Sequence, residues 1–153
     1  MELKNNDNIK NELNNCDYEN IELFNFRDYK TIAKVIDIYD GDTCTIIFKY
    51  EGKIIKYKVR CYGYDSPEMR PSRSLENREL IKEKAREAKK ILGDYLNFNN
   101  GDGIIYIHCH DFDKYGRLMV SFYDNENFEG PSINEKMVEN GYGYSYFGGT
   151  KKN

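Results

Sequence analysis

Between residues 44 and 62 two alternating runs are joined by a single dipeptide. Cys44, Ile46, Phe48 and Tyr50 alternate with Thr45, Ile47 and Lys49; "EG" follows at 51 and 52; then Ile55, Tyr57, Val59 and Cys61 alternate with Lys56, Lys58, Arg60 and Tyr62. Successive side chains on a strand point to opposite faces, so this pattern buries one row and leaves the other, Arg60 included, on a polar face. A two-residue connection containing glycine fits a tight hairpin. The segment is therefore expected to be two half-buried antiparallel strands.

Three more strands are expected around this pair. Thr31 to Ile38 suits a strand that ends in "YDGD", "IIYIHCH" reads as a fourth, and after the "DFDKYG" turn Leu118, Val120 and Phe122 alternate with Arg117, Met119, Ser121 and Tyr123. Arg117 thus shares the polar side with Arg60. The two prolines of "DSPEMRPS" stop any strand and make a constrained loop. Beyond Ser74, the expected N-cap, Ile81, Ala85, Ala88, Leu92 and Leu96 form one stripe of a long helix. A second helix is signalled by Ser132 and Glu135 as a capping box, Ile133, Met137 and Val138 as the apolar face, and Gly141 as a C′ stop. Five strands, with one long helix after the third and a shorter one after the fifth, predict an α+β, mainly β fold: a small, partly open five-stranded barrel of the OB type.

The 153 residues are expected to form one packed domain. Residues 1 to 25 are rich in Asn and carry six acids against Lys4 and Lys10, a net of −4 within a formal total of −3, which leaves the body at +1. This stretch has almost no apolar periodicity and is read as a flexible acidic tail, with "IELFNF" beginning the packed part and the domain running over 26–150. The global charge therefore neither favours nor excludes a nucleic-acid partner; the placement of the cations decides. No stretch has the apolar length to cross a bilayer, and the basic, apolar and small-residue order of a signal peptide is missing from residue 1 onward. Four cysteines, Cys16, Cys44, Cys61 and Cys109, lie without a C-x-x-C pair. An intracellular, reduced monomer that does not engage a membrane is the expectation. A zinc site at His108, Cys109 and His110 is disfavoured, because strand neighbours face opposite ways.

The chemistry lies in two stretches read together, "YDGDT" and "RCYGYDSPE". Alone, the first is an ordinary turn, since Asp bonds its own backbone there. Jointly, Asp42, Asp65 and Glu68 supply carboxylates at strand ends or in a rigid loop, and Arg60 and Arg117 supply guanidinium groups from polar strand faces. Oxygen-only ligands, two Asp side chains with a backbone carbonyl, suit Ca²⁺ or Mg²⁺. Planar guanidinium forks match a phosphate and stabilise charge developing on five-coordinate phosphorus, and a carboxylate such as Glu68 can take a proton from attacking water. The set predicts phosphodiester hydrolysis. An EF-hand starting at Asp37 is excluded, because its twelfth position is Phe48. A glycosidase pair of Asp65 and Glu68 leaves both arginines without a role.

"DGDT", Arg60 through Glu68 as R-x4-D-S-P-E, and Asp113 through Arg117 as "DKYGR" resemble, in order and separation, the signature of the staphylococcal nuclease (thermonuclease) family. The likeness spans roughly residues 30 to 147. It implies a Ca²⁺-dependent nuclease on an OB-type barrel, cutting DNA and RNA with little sequence preference and leaving 3′-phosphate ends. By position it implies Asp42 and Asp65 as metal ligands, the backbone carbonyl of Ser66 as a third where the family usually has Thr, and Glu68 as general base. It makes Arg60 and Arg117 the phosphate-binding arginines and Lys114 and Tyr115 contacts to a neighbouring phosphate. The family's prototype has a long basic third helix for which "YGYSYFGGTKKN" leaves no room; Tyr142, Tyr144, Tyr146 and Phe147 there are read equally as base-stacking platforms and as core or edge aromatics. The alternative reading is a non-catalytic nucleic-acid-binding module of the same fold, against which the retention of Asp42, Arg60, Asp65, Glu68 and Arg117 argues.

Overall fold

A computed structural model describes residues 6–147. Strands β1 (Lys30–Asp40), β2 (Thr43–Tyr50), β3 (Lys53–Cys61), β5 (Ile104–Phe112) and β6 (Leu118–Tyr123) close into a barrel in the order β1-β2-β3-β6-β5. A short β4 (Tyr64–Asp65) lies outside it. Every barrel pairing is antiparallel except β3 with β6, where Val59, Arg60 and Cys61 pair with Leu118, Met119 and Val120. This is the five-stranded OB-type architecture, mainly β, and the ring is complete where a partly open one was expected. The hairpin turn at Glu51 and Gly52 has positive φ at both residues, +47° and +81°, the geometry that matches strand twist.

In β2, β3 and β6 the inward rows follow the alternation, and β1 and β5 add their own inward residues. Val35, Ile46, Val59, Ile107, Cys109, Leu118, Val120 and Phe122 are buried. Packing begins at Phe26, whose ring meets Tyr50 at 4.9 Å and Tyr57 at 5.5 Å edge to face, a geometry that adds to its burial. Leu23, just before it, is exposed. Within the stretch read as a tail, Asn6–Asn15 forms helix α1; Ile9 and Leu13 share one side of it through their i,i+4 spacing, and none of its residues is buried. Residues 1–5 of the expected tail and 148–150 of the expected domain lie outside the described residues.

Helix α2 (Arg78–Tyr95) buries Ile81, Ala85, Ala88 and Leu92, and Leu96 beyond it, as the stripe predicts. Its start differs. The N-cap is Asn77, because the Ser74 hydroxyl is engaged with that of Ser72 at 2.8 Å and the chain turns again, Arg78 N donating to Leu75 O, before the helix begins. Helix α3 (Ile133–Glu139) follows its expected cap: Ser132 Oγ accepts from Glu135 N at 3.1 Å, and Gly141 has φ +81°. Asn134 in its first turn ties the helix to the barrel. Its Nδ2 donates to Tyr62 O and Val120 O at 2.9 Å each, and its Oδ1 accepts from Phe122 N, stitching the end of the parallel pair.

A two-stranded sheet pairs β4 with β7 (Tyr144–Ser145). The C-terminal aromatics thereby divide their work: Tyr142 packs against the core, Tyr144 forms an edge strand, and Tyr146 and Phe147 line a cleft. Among the described residues no helix is long and apolar enough to cross a membrane.

Three segments meet at Gly41. A Cβ there would stand 2.7 Å from Ser66 Cβ and 2.8 Å from Ala88 Cβ, closer than packed carbons tolerate. Replacing Gly41 with Ala is expected to push the β1–β2 turn away from the Ser66 loop and from α2, lowering unfolding free energy by about 1–3 kcal/mol in a urea titration.

Candidate active site

The "YDGD" turn is held by the Asx-type bond that its sequence suggests, Asp42 N donating to Asp40 Oδ1 at 3.0 Å. It is then fixed from the outside, because the buried Tyr64 hydroxyl donates to Gly41 O at 2.7 Å and Cys61 N donates to Asp42 O at 2.8 Å. Asp42 therefore enters the barrel end at a set position, with only 3% of its surface exposed. Its Oδ1 accepts from Thr43 Oγ1 at 3.0 Å, and its Oδ2 accepts from Ser66 N at 2.7 Å.

Asp65 comes from β4, whose pairing to β7 keeps it rigid, and it is 2% exposed. Arg60, from the polar face of β3, reaches both acids. Its Nη2 donates to Asp65 Oδ1, while its Nη1 lies 2.7 Å from Asp42 Oδ2 as an ion pair whose N–H bonds are poorly aligned for a hydrogen bond. Two buried carboxylates thus share the Arg60 guanidinium, and Asp65 Oδ2 is buried with no hydrogen-bond partner among the described residues. A buried carboxylate oxygen left without a partner is costly unless a cation or a donor compensates it. Among the described residues no three His, Cys, Asp or Glu side chains gather into a ready cage. The fitting donor set is the two carboxylates with a backbone carbonyl, a hard-oxygen set suited to Ca²⁺. Ser66, whose N donates to Asp42, is itself buried, and its Oγ has no hydrogen-bond partner among the described residues.

An open cleft of about 1000 Å³ runs past this pair and is lined by Asp42, Arg60, Asp65, Lys114, Tyr115 and Arg117. Arg117 is set by Asp113, which sequence reasoning treated only as part of a turn motif. Asp113 Oδ1 accepts from Tyr115 N and Arg117 N at 2.9 Å each, and Oδ2 accepts from Arg117 Nε at 2.7 Å. An Asp followed by Gly three residues later is the available signal for such a carboxylate-organised loop. Tyr115 is 72% exposed, with Lys114 Nζ 5.2 Å and the Arg117 guanidinium 5.5 Å from its ring centre. Tyr62 forms another wall, its ring stacked on His110 at 3.9 Å.

Glu68 stands apart. It is half-buried in the loop three residues past Asp65, does not line the cleft, and has no hydrogen-bond or ion-pair partner among the described residues. Cys61 does line the cleft, yet burial pushes its thiol up to about 12, so it stays protonated at neutral pH and offers no nucleophile. His108 and His110 are engaged by Asp28 and Ser121 at 3.0 and 2.8 Å, and Cys109 between them is buried.

Residues 58–153 match the family described as Staphylococcal nuclease homologue, a span that holds Arg60, Asp65, Glu68 and Arg117. Over 122 residues the chain is 25% identical to "Probable staphylococcal-like nuclease CAN3" of Oryza sativa subsp. japonica, and equally to "Probable staphylococcal-like nuclease CAN2" of the same organism. These alignments take in 78% of this chain but 27% and 28% of the two relatives, so it spans little more than a quarter of their length. Asp42 precedes the matched segment and joins its residues through the Ser66 and Arg60 contacts just described. With the matched segment covering more than half of the chain, and a five-stranded barrel around it, the chain belongs to the staphylococcal nuclease homologue family.

Proposed function

We propose that this chain hydrolyses phosphodiester bonds of DNA, RNA or both, with Ca²⁺ held by Asp42, Asp65 and the Ser66 carbonyl and with little sequence preference. The observation that supports it is the buried Asp42–Asp65 pair bridged by the Arg60 guanidinium, with Asp65 Oδ2 lacking a hydrogen-bond partner among the described residues, in a cleft shared with Arg117. The unit assigned to this activity is residues 26–150.

Bound Ca²⁺ would supply Lewis-acid polarisation of a phosphoryl oxygen. The chain's own residues carry the rest. Glu68, with no partner of its own among the described residues, is free to accept the proton of the attacking water. The water oxygen bonds to phosphorus, the bond from phosphorus to the 5′ oxygen breaks, the departing 5′ oxygen takes a proton from solvent water, and the phosphate remains on the 3′ side. Arg117 and Arg60 stabilise the charge that builds on the equatorial oxygens; Arg60 does so by exchanging its carboxylate contacts for phosphate, a swap that a cation on the same carboxylates favours. Lys114 and Tyr115 hold a neighbouring phosphate at the cleft mouth. Because bases enter through exposed aromatics and the gripped groups are phosphates, base identity has little weight.

The position of Glu68 outside the cleft lining favours a second reading, a nucleic-acid-binding module without turnover. Kinetics separate the two. Glu68→Gln is expected to lower kcat on single-stranded DNA by about 10²-fold or more, and Arg117→Gln by about 10²–10³-fold, with the urea midpoint unchanged in both. A Glu68→Gln enzyme as fast as the parent would remove that residue from the mechanism. Chelation by EGTA is expected to silence the parent and added Ca²⁺ to restore it; undiminished cutting in EGTA would contradict the cation site.

A further inference from the structure

A second groove, of about 850 Å³, adjoins the cleft and has no part in the chemistry above. Two walls run from one into the other. Asp37 of β1 lines both, and the loop that places Asp65 in the cleft reaches the groove four residues later at Met69. The opposite wall is α2, where Arg86, Lys89 and Lys90 share one flank through i,i+3 and i,i+4 spacing. Lys90 is 3.5 Å from Asp94, which also accepts from Asn99 Nδ2 at 2.8 Å, so that pair is internally engaged. Arg86 and Lys89 have no hydrogen-bond or ion-pair partner among the described residues. The remaining acid on the groove is Asp37, set against these two cations. Ile38, Met69 and Phe98 supply an apolar floor.

We propose that this groove carries the continuation of a single-stranded nucleic acid whose scissile bond lies in the cleft, with Arg86 and Lys89 contacting its phosphates and the apolar floor receiving an unpaired base. The assignment rests on the nuclease reading for the cleft. Continuity selects the occupant, because a polymer leaving the cleft along β1 and the Met69 loop must enter the groove. Charge agrees: a polyanion that has passed the Asp42–Asp65 pair gains from unpaired cations on the far side. An apolar floor beside cations suits splayed bases more than a duplex, whose bases are stacked inward. The groove thus makes the enzyme favour extended single strands over small diesters.

The test compares the full-length parent with the double variant Arg86→Gln/Lys89→Gln on a long single-stranded oligonucleotide and on bis(p-nitrophenyl) phosphate, across a salt series. The variant is expected to lose about tenfold in kcat/KM on the oligonucleotide at low salt and to flatten the slope of log kcat/KM against log salt by about 1.4, two phosphate contacts at about 0.7 each. Hydrolysis of the small diester is expected to stay unchanged, and Arg86→Lys/Lys89→Arg to keep the parental slope. Unchanged kinetics on the oligonucleotide, or equal losses on both substrates, would overturn the proposal. If the parent cuts neither substrate, the nuclease reading fails separately, and fluorescence anisotropy of a labelled oligonucleotide then reads the groove. Parental binding with the steeper salt slope supports it; identical slopes, or no binding by either protein, overturn it.

Discussion

Arg60 stretched between two buried carboxylates is the interaction on which the rest depends. The guanidinium bridges Asp42 and Asp65 in a low-dielectric setting that strengthens both ion pairs and makes each buried charge costly to leave uncompensated. A fold optimised for stability alone would avoid this arrangement, since packed apolar residues serve a core at least as well. It borders the cleft that also holds Arg117, where the proposed cation site would need it.

The barrel exists in a form that enforces this charge geometry. Asp42 is placed by the β1–β2 turn, Arg60 by the end of β3, and Asp65 by a two-residue strand that the C-terminal segment pairs. Tyr64 ties the third segment to the first through Gly41 O, and the absence of a side chain at Gly41 lets Ser66 and Ala88 close in. Helix α2 thereby serves twice, with Ala88 packed close to Gly41 and its adjoining flank presenting Arg86 and Lys89 beside the second groove. Rigidity concentrates at the carboxylates, while Lys114 and Tyr115 sit in an exposed turn organised by Asp113.

Much of this was legible in the residues because it follows from local rules. Period-two alternation placed Arg60 on the polar side, the stripe from Ile81 to Leu96 identified the face of α2 that packs, and Ser132 with Glu135 marked the start of α3. The parts that escaped depend on partners distant in the chain. The β4–β7 pairing joins residues about eighty apart in a segment whose prolines speak for a loop, and Asn134 acts on the carbonyls of Tyr62, just past β3, and of Val120 in β6, which no local pattern announces. The Ser74 cap failed because a second serine competes for its hydroxyl. At the site, the motifs brought Asp42, Arg60, Asp65, Lys114, Tyr115 and Arg117 to one cleft, whereas the place of Glu68 outside its lining was not readable from spacing.

The central claim is a divalent-cation site made by Asp42 and Asp65 together. Titration calorimetry with Ca²⁺ on the full chain tests it without reference to turnover. The account predicts one ion bound per chain by the parent and none by Asp42→Asn or Asp65→Asn, with a Ca²⁺-dependent gain in thermal stability of about 2.7 kcal/mol at a hundredfold excess over Kd in the parent alone. A parent that binds no Ca²⁺, or variants that bind it as the parent does, would contradict it.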